Sequence, residues 1–160
     1  MYTKVGNKNK NKNKKKNKKK RKKEKERNEQ GAPGTMKWIK ITNLKPKPKE
    51  RPRYNSNTRA AYTPKSTHDY EEAIGWAYKS QDGTKHLGAI ALYVNFLFKG
   101  KDLLKEHTSK PDVDNLVKAL MDGLNGVAWE DDCQVVSIDA HKYWAEYDGI
   151  RFKVEGLNEL

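Results

Sequence analysis

The sequence is poor in cysteine and has no long run of hydrophobic residues. Its single cysteine, Cys133, has no partner for an internal disulfide, and no Cys/His cluster has zinc-ligand spacing, which excludes a disulfide-stabilised secreted scaffold and a zinc finger. The longest apolar run, residues 89–94, falls far short of the roughly 20 residues that span a membrane, and the N-terminus lacks the apolar section of a signal peptide. We therefore expect a soluble protein of the cytoplasm.

Charge is distributed unevenly along the 160 residues, whose formal net charge is +13. Residues 1–30 hold 15 Lys/Arg and 3 Asp/Glu, residues 31–66 hold 9 and 1, and residues 67–160 hold 10 and 17. The first thirty residues also have almost no hydrophobic side chains, so they cannot bury enough surface to offset the entropy of ordering. We interpret residues 1–35 as a disordered, Lys-rich cationic tail that binds polyanions without specificity, and residues 36–160 as one folded domain.

The hydrophobic pattern predicts an α+β domain of βαβαββ order, with a mixed sheet and two helices. The clearest strand has a large apolar side chain at every second position from Ile90 to Phe98 and little charge on its other face, so we expect it to be central. The predicted strands cover residues 37–42, 88–98, 133–144 and 150–155, and the predicted helices cover residues 67–80 and 113–124.

Local signals predict how some of these elements are connected. Ser66 and Asp69 fit a capping box at the start of the first helix. The dipeptide Asp148-Gly149 is a strong hairpin signal, so it predicts a turn that joins the last two strands directly. Between residues 45 and 65, prolines exclude an interior strand and basic residues are frequent, which predicts an extended basic loop.

Acidic residues are concentrated in residues 110–136, where their spacing separates them from the apolar residues. On a helix that begins at residue 113, Asp114, Lys118 and Asp122 form one row, whereas the leucines fall on the opposite face. Asp112 lies directly before this helix, so its carboxylate can lie beside that of Asp114. The pattern therefore predicts a helix with one packed face and one charged face.

These carboxylates support two interpretations. If Asp112 and Asp114 converge, their like charges destabilise the fold unless a cation neutralises them, and Mg²⁺ prefers a few carboxylates together with water. In the alternative interpretation, Asp112 caps the helix, and Asp114 and Asp122 pair with Lys118. The acidic pair at 131–132 then marks a turn. An EF-hand is excluded by apolar residues where its loop needs an oxygen ligand and a glycine, whereas a sugar-nucleotide site stays open.

The segment KPDVDNLVKALMDGL, with the later pair of aspartates, resembles the signature of the RusA family of Holliday junction resolvases, metal-dependent endodeoxyribonucleases common in prophages. The Pro/Arg segment KPKERPR, the AAYTP at 60–64 and the order of elements are also similar to that family, so the resemblance covers about residues 36–155. It implies a nuclease of DNA recombination and repair that acts in the cytoplasm, at the nucleoid.

The resemblance also implies roles for individual residues. In the family, both aspartates of the D-x-D-N motif and one of the later pair bind Mg²⁺ or Mn²⁺, and a lysine four residues after the motif's second aspartate assists. Carried over, the metal ligands are Asp112, Asp114 and Asp132, the catalytic lysine is Lys118, and the supporting residues are Asn115, Asp122 and Asp131. Some relatives have a basic residue where this chain has Pro111, and Lys110 is the expected substitute for that DNA contact.

The expected reaction is phosphodiester hydrolysis on a four-way DNA junction. Two symmetric nicks require two active sites, so we expect a homodimer. The cations of residues 45–65, which we call the basic segment, would contact the DNA phosphates without reading the base sequence. The expected DNA contacts in that segment are Lys45, Lys47, Lys49, Arg51, Arg53, Arg59 and Lys65.

Two other functions fit the same residues. A nucleic-acid-binding module without catalysis would use the tail and the basic segment to coat DNA or RNA, and its binding would not depend on metal. A metal nuclease that cuts flaps, other branched DNA or RNA would share every residue named above. Selectivity between branched substrates arises from dimer geometry and surface shape, which single residues do not encode.

Overall fold

The computed structural model of the chain describes residues 37–157, and the predicted cationic tail lies outside them. The described residues form the predicted α+β arrangement of two helices and a mixed sheet, with a small second sheet. No helix among them is long and apolar enough to cross a membrane. The elements are β1 (Ile39–Thr42), β2 (Arg53–Asn55), β3 (Ala60–Tyr62), α1 (Lys65–Ser80), β4 (Ala89–Lys99), α2 (Val113–Leu124), a 3-10 helix (Asp132–Gln134), β5 (Val135–Ala145) and β6 (Gly149–Leu157).

Strand β4 occupies the interior of the larger sheet, as predicted. The strand order is β1-β6-β4-β5, and β4 pairs in parallel with β5 and antiparallel with β6. The side chains of Ile90, Leu92 and Val94 are at most 1% exposed, because the two helices cover this face of the strand. A strand with almost no charge is stable in this position, where both of its edges and one of its faces are buried.

The direct hairpin predicted at Asp148-Gly149 is wrong, because β5 and β6 lie on opposite sides of β4. Residues 146–148 cross the end of β4, where Asp148 Oδ1 accepts a hydrogen bond from the Lys99 amide at 2.9 Å. Glycine is still required at position 149, since a Cβ atom there would lie 2.6 Å from the carbonyl oxygen of Ile41. The chain does reverse direction at this dipeptide, but β4 lies between the two strands that the dipeptide connects. In this position β4 has hydrogen-bonded partners on both of its edges.

The basic segment contains a hairpin instead of the predicted extended loop. Strands β2 and β3 pair antiparallel, with Arg53 opposite Tyr62. The turn between them is held by Asn55, whose Oδ1 accepts hydrogen bonds from the amides of Asn57 and Thr58 at 2.9 and 3.3 Å. Apart from Asn55, every side chain of these strands is exposed. The hydrophobic pattern therefore carries no signal for this hairpin.

Helix α1 begins at Lys65, two residues before its predicted start, and the predicted capping box of Ser66 is wrong. Pro64 occupies the N-cap position without a side-chain cap, and its carbonyl accepts a hydrogen bond from the Thr67 amide at 3.0 Å. Ser66 Oγ instead donates to Glu50 Oε1 at 3.0 Å. The Pro64 carbonyl also accepts a hydrogen bond from the His68 amide, at 3.3 Å, so the first turn of the helix is closed by the backbone.

The core lies between the helices and one face of the sheet. Helices α1 and α2 approach closely at Gly123, where a Cβ atom would lie 2.8 Å from the carbonyl oxygen of Glu71. Helix α2 has its predicted bounds and packs its leucine face into the core. The largest fully buried side chains are Ile74, Ile90, Leu92, Val94, Phe96, Leu116, Leu120, Leu124, Trp129, Ile150 and Phe152.

Residues 103–111, which we call the strap, connect β4 to α2 along the outer edge of β5. The amide of Leu104 donates to the carbonyl of Trp144, and the amide of His107 donates to the carbonyl of Lys142, each at 2.9 Å. The ring of His107 lies between Phe98 and Trp144, stacked on the first and tilted against the second, with centroid separations of 4.1 and 4.3 Å. The strap therefore covers the C-terminal half of β5, which would otherwise be an open edge.

His107 is buried, with 6% of its surface exposed, and its Nδ1 has no hydrogen-bond partner among the described residues. Burial lowers the pKa of this imidazole, and the nearby ammonium of Lys142 lowers the pKa further. The folded protein therefore favours the neutral form of His107, which suits its place between two aromatic rings.

We expect His107→Phe to make the melting temperature less sensitive to acid. The folded-state pKa of His107 lies below its unfolded value of about 6.5. As the pH falls below that value, the unfolded chain binds a proton that the folded chain does not, so the wild type loses stability. Melting temperatures measured at about pH 7.5 and about pH 5.5 should fall less for this variant than for the wild type. The exposed control His68→Gln should behave as the wild type, and equal losses in all three proteins would contradict the expectation.

Candidate active site

A cleft of about 660 Å³ lies between helix α2 and strand β5. Its polar side is formed by Asp114, Lys118 and Asp122 from the charged row of α2, and by Asp132 from the 3-10 helix before β5. Concave surfaces that combine a few polar groups with apolar walls are typical of binding and catalytic sites. The apolar side is formed by Val113, Val117, Met121, Ile138 and Ala140.

Two of the three predicted metal ligands, Asp114 and Asp132, line this cleft, and Asp112 does not. Asp112 occupies the N-cap position of α2, where its carbonyl accepts a hydrogen bond from the Leu116 amide at 3.2 Å and its side chain makes no cap. Within residues 37–157, no three Asp, Glu, His or Cys side chains are close enough together to hold a metal ion. The cleft therefore gathers two of the expected carboxylates rather than three.

The alternative interpretation required Lys118 to pair with its acidic neighbours, and the structure does not have these pairs. Lys118 is exposed and makes no ion pair with another described residue. The carboxylate of Asp122 instead lies 2.9 Å from the ammonium of Lys49. The charged row of α2 is therefore not neutralised by the i,i+4 contacts that its spacing allows.

Asp131 shapes the turn that presents Asp132, which agrees with part of the alternative interpretation. Asp131 Oδ1 accepts a hydrogen bond from the Cys133 amide at 2.8 Å, and Gln134 Oε1 accepts one from the Asp131 amide at 3.1 Å. This is a capping box around the 3-10 helix. Hydrogen bonds from Cys133 lower the pKa of the Asp131 carboxyl, and the same contact raises the pKa of the Cys133 thiol. The thiol is therefore a poor nucleophile.

Trp129 holds the carboxylate of Asp132. The indole Nε1 donates to Asp132 Oδ1 at 2.8 Å, and the tryptophan itself is completely buried. A buried indole N–H needs an acceptor, and here the acceptor is a residue that lines the cleft. The contact fixes one carboxylate oxygen against the core. Sequence reasoning missed it, although the spacing of three residues between the two side chains is a local signal.

Lys49 connects the basic segment to both helices. Its ammonium lies between the carboxylates of Glu71 on α1 and Asp122 on α2, and its amide donates to the carbonyl of Asn115 at 3.1 Å. Burial alone lowers the pKa of Lys49, but the hydrogen bonds with Asp122 and Glu71 outweigh it, so the pKa is raised. Lys49, a predicted DNA contact, is thus bound to Asp122, which was predicted to support the site.

The other predicted DNA contacts are exposed. Arg53 pairs with Glu50 on the surface at 3.4 Å, and the amide of Lys47 donates to the Tyr70 hydroxyl at 3.2 Å. This anchors the backbone of the basic segment to α1 and leaves its cations at the surface. Of the predicted DNA contacts, those that are exposed and make no ion pair with another described residue are Lys45, Lys47, Arg51, Arg59, Lys65 and Lys110.

Comparison with known proteins identifies the class of this domain. The family model of endodeoxyribonuclease RusA matches residues 43–155, which include the basic segment, both helices and the cleft. The chain belongs to the RusA family of endodeoxyribonucleases. A curated relative, the uncharacterized protein YqaN of Bacillus subtilis (strain 168), is 48% identical over 46 residues, which are 29% of this chain and 32% of the relative. The chain therefore spans about a third of the length of that relative.

We expect Lys49→Met to lower the free energy of unfolding by about 1–3 kcal/mol, because it leaves two largely buried carboxylates beside an apolar side chain. The matched control is Arg53→Met, which removes an exposed ion pair and should cost less than about 1 kcal/mol. Urea unfolding monitored by tryptophan fluorescence measures both values. Equal losses of unfolding free energy in the two variants would show that Lys49 does not hold the basic segment to the helices.

Proposed function

We propose that this protein is a metal-dependent endonuclease that resolves four-way DNA junctions by paired, symmetric nicks. The observation that carries the proposal is the cleft lined by Asp114, Lys118 and Asp132, within the region that matches the RusA family. The family supports cleavage of DNA, and the cleft supplies the side chains suited to act on a phosphodiester.

The donor set of the cleft fits Mg²⁺, or Mn²⁺ in its place. Asp114 and Asp132 would hold the ion, and Asp112, whose side chain is exposed and makes no cap, is a further candidate ligand. Sites for Mg²⁺ commonly use one or two carboxylates and are completed by water and substrate phosphates, so two carboxylates on one cleft are sufficient. When bound, such an ion lowers the pKa of water to give a nucleophile and stabilises the leaving oxygen.

Side chains of the chain itself would orient the reacting groups. Lys118 would bind the scissile phosphate, because its ammonium lies on the cleft and no carboxylate among the described residues neutralises it. Trp129 would keep the Asp132 carboxylate in one orientation before the substrate binds.

The basic segment would hold the arms of the junction. Its exposed cations, among them Lys45, Lys47 and Arg51, would contact phosphates regardless of sequence. Lys49 would act as the tether of this segment, since its ammonium is already bound by two carboxylates. A four-way junction needs two symmetric cuts, so we propose a homodimer with two clefts, acting in the cytoplasm at the nucleoid.

We expect the purified protein to nick a labelled four-way junction at paired, symmetric positions in Mg²⁺, and to leave a matched linear duplex intact. EDTA should abolish cutting. Asp114→Asn should slow cutting at least about 100-fold, because it removes a ligand of the ion that would stabilise charge in the transition state. The control is Asp69→Asn, an equivalent change at an exposed position on α1, which should cut at the wild-type rate. Gel analysis of both strands measures the sites and rates.

Two outcomes would replace the proposal when the same assay also includes DNA flaps and structured RNA. Binding of the junction without cutting in any divalent metal would favour the nucleic-acid-binding module. Cutting of flaps or structured RNA as fast as junctions would favour a nuclease of broader specificity.

We expect Mg²⁺ to raise the melting temperature of the metal-free protein, because an ion bound only by the folded state stabilises it by mass action. At about 100 times the Kd the stabilisation is about 2.7 kcal/mol. Asp132→Asn should lose most of this shift and Asp69→Asn should keep it, as measured by scanning calorimetry. Equal shifts in all three proteins would place the bound ion outside the cleft.

A further inference from the structure

Lys142 on strand β5 contacts the strap at the point where it enters helix α2. Its ammonium donates hydrogen bonds to the carbonyl oxygens of Ser109 and Pro111, at 2.8 and 2.7 Å. The two carbonyls lie on either side of Lys110, and the second belongs to the residue directly before Asp112. A lysine side chain, with three N–H donors and no acceptor, is suited to hold two carbonyls at once.

The rest of this part of the strap has few other attachments. Its last backbone pairing with β5 is the hydrogen bond from the His107 amide to the Lys142 carbonyl, at 2.9 Å. In the described part of the chain, residues 108–111 make no hydrogen bond from backbone to backbone. Among the hydrogen bonds of the described residues, those from the Lys142 ammonium are the ones that join residues 109–111 to strand β5.

We propose that Lys142 is a positioning residue that fixes the segment carrying Asp112 and Asp114. This inference rests on the proposed function, because it assigns Lys142 an effect on metal binding and cutting through these two aspartates. Lys142 lines no part of the cleft with its ammonium, which is bound to carbonyl oxygens, so it acts through the backbone. Strand β5 therefore forms one side of the cleft and, through Lys142, also supports the start of helix α2 on the other side.

The surroundings of Lys142 are compatible with one fixed positive charge. Hydrogen bonds from an ammonium are stronger than those from a neutral donor, and carbonyl oxygens satisfy the charge in a half-buried place. The adjacent ring of His107 favours its neutral form because burial, and then Lys142 itself, lower its pKa. A neutral His107 adds no second positive charge beside Lys142, and a hydrogen bond with the Ser109 backbone only partly offsets the lowering of its pKa.

The test compares Lys142→Met, which keeps the length of the side chain, with Lys142→Arg, which keeps the donors. The control is Lys153→Met on β6, where the ammonium lies over the Tyr93 ring at 4.2 Å. The first readout is the NMR order parameter of the Ser109, Lys110 and Asp112 amides in metal-free protein. We expect it to fall from about 0.85 to about 0.6 in Lys142→Met only, and to be largely restored in Lys142→Arg.

The second readout is the Mg²⁺ concentration that gives half-maximal cutting, which should rise about tenfold in Lys142→Met and remain unchanged in Lys153→Met. Order parameters that stay at the wild-type value in Lys142→Met, or that fall equally in the control, would overturn the inference. A lower order parameter with an unchanged Mg²⁺ requirement would also overturn it. If the wild type does not cut at all, the proposed function fails, and the order parameters still decide whether Lys142 fixes this segment.

Discussion

The parallel pairing of β5 with β4 determines where the polar groups of this domain gather. Two parallel strands need a crossover connection, and in this chain the crossover consists of the strap and helix α2. The helix lies over the sheet with its leucines in the core, which leaves Asp114 and Lys118 beside β5. The chain then turns back into β5 through the 3-10 helix, and this turn brings Asp132 to the same cleft. The pairing of β4 with β5 thus brings side chains of α2 and of the 3-10 helix to one cleft.

Electrostatics connects this cleft to the basic segment. Carboxylates alone repel DNA, so a site that cuts DNA needs cations both in the cleft and around it. Lys118 lines the cleft, and the exposed cations of the basic segment precede α1 in the chain or, as Lys65 does, begin it. Lys49 joins the two regions because Glu71 and Asp122 hold its ammonium. In this arrangement Lys49 pairs with two carboxylates, while the neighbouring cations Lys45, Lys47 and Arg51 remain exposed.

Periodicity predicted the elements that face the core, because buried side chains recur at fixed intervals. It gave the bounds of α2 and the central place of β4, but not the β2–β3 hairpin, whose side chains are nearly all exposed. At Asp148 a correct turn signal gave a wrong pairing, since long-range burial of β4 decides which strands are neighbours. The row of Asp114 and Lys118 was predictable from spacing. The contacts of Lys49 and Lys142 were not, because each joins segments that only the folded chain brings together.

Paramagnetic broadening by Mn²⁺ tests most directly the proposed divalent-metal site in the cleft between α2 and β5. Added below stoichiometric amounts to ¹⁵N-labelled protein, Mn²⁺ should broaden the amide signals of Asp114, Lys118 and Asp132 first, and excess Mg²⁺ should restore them. Signals from the exposed end of α1, near Lys79, should persist. Broadening that begins elsewhere, or that Mg²⁺ does not reverse, would contradict the account.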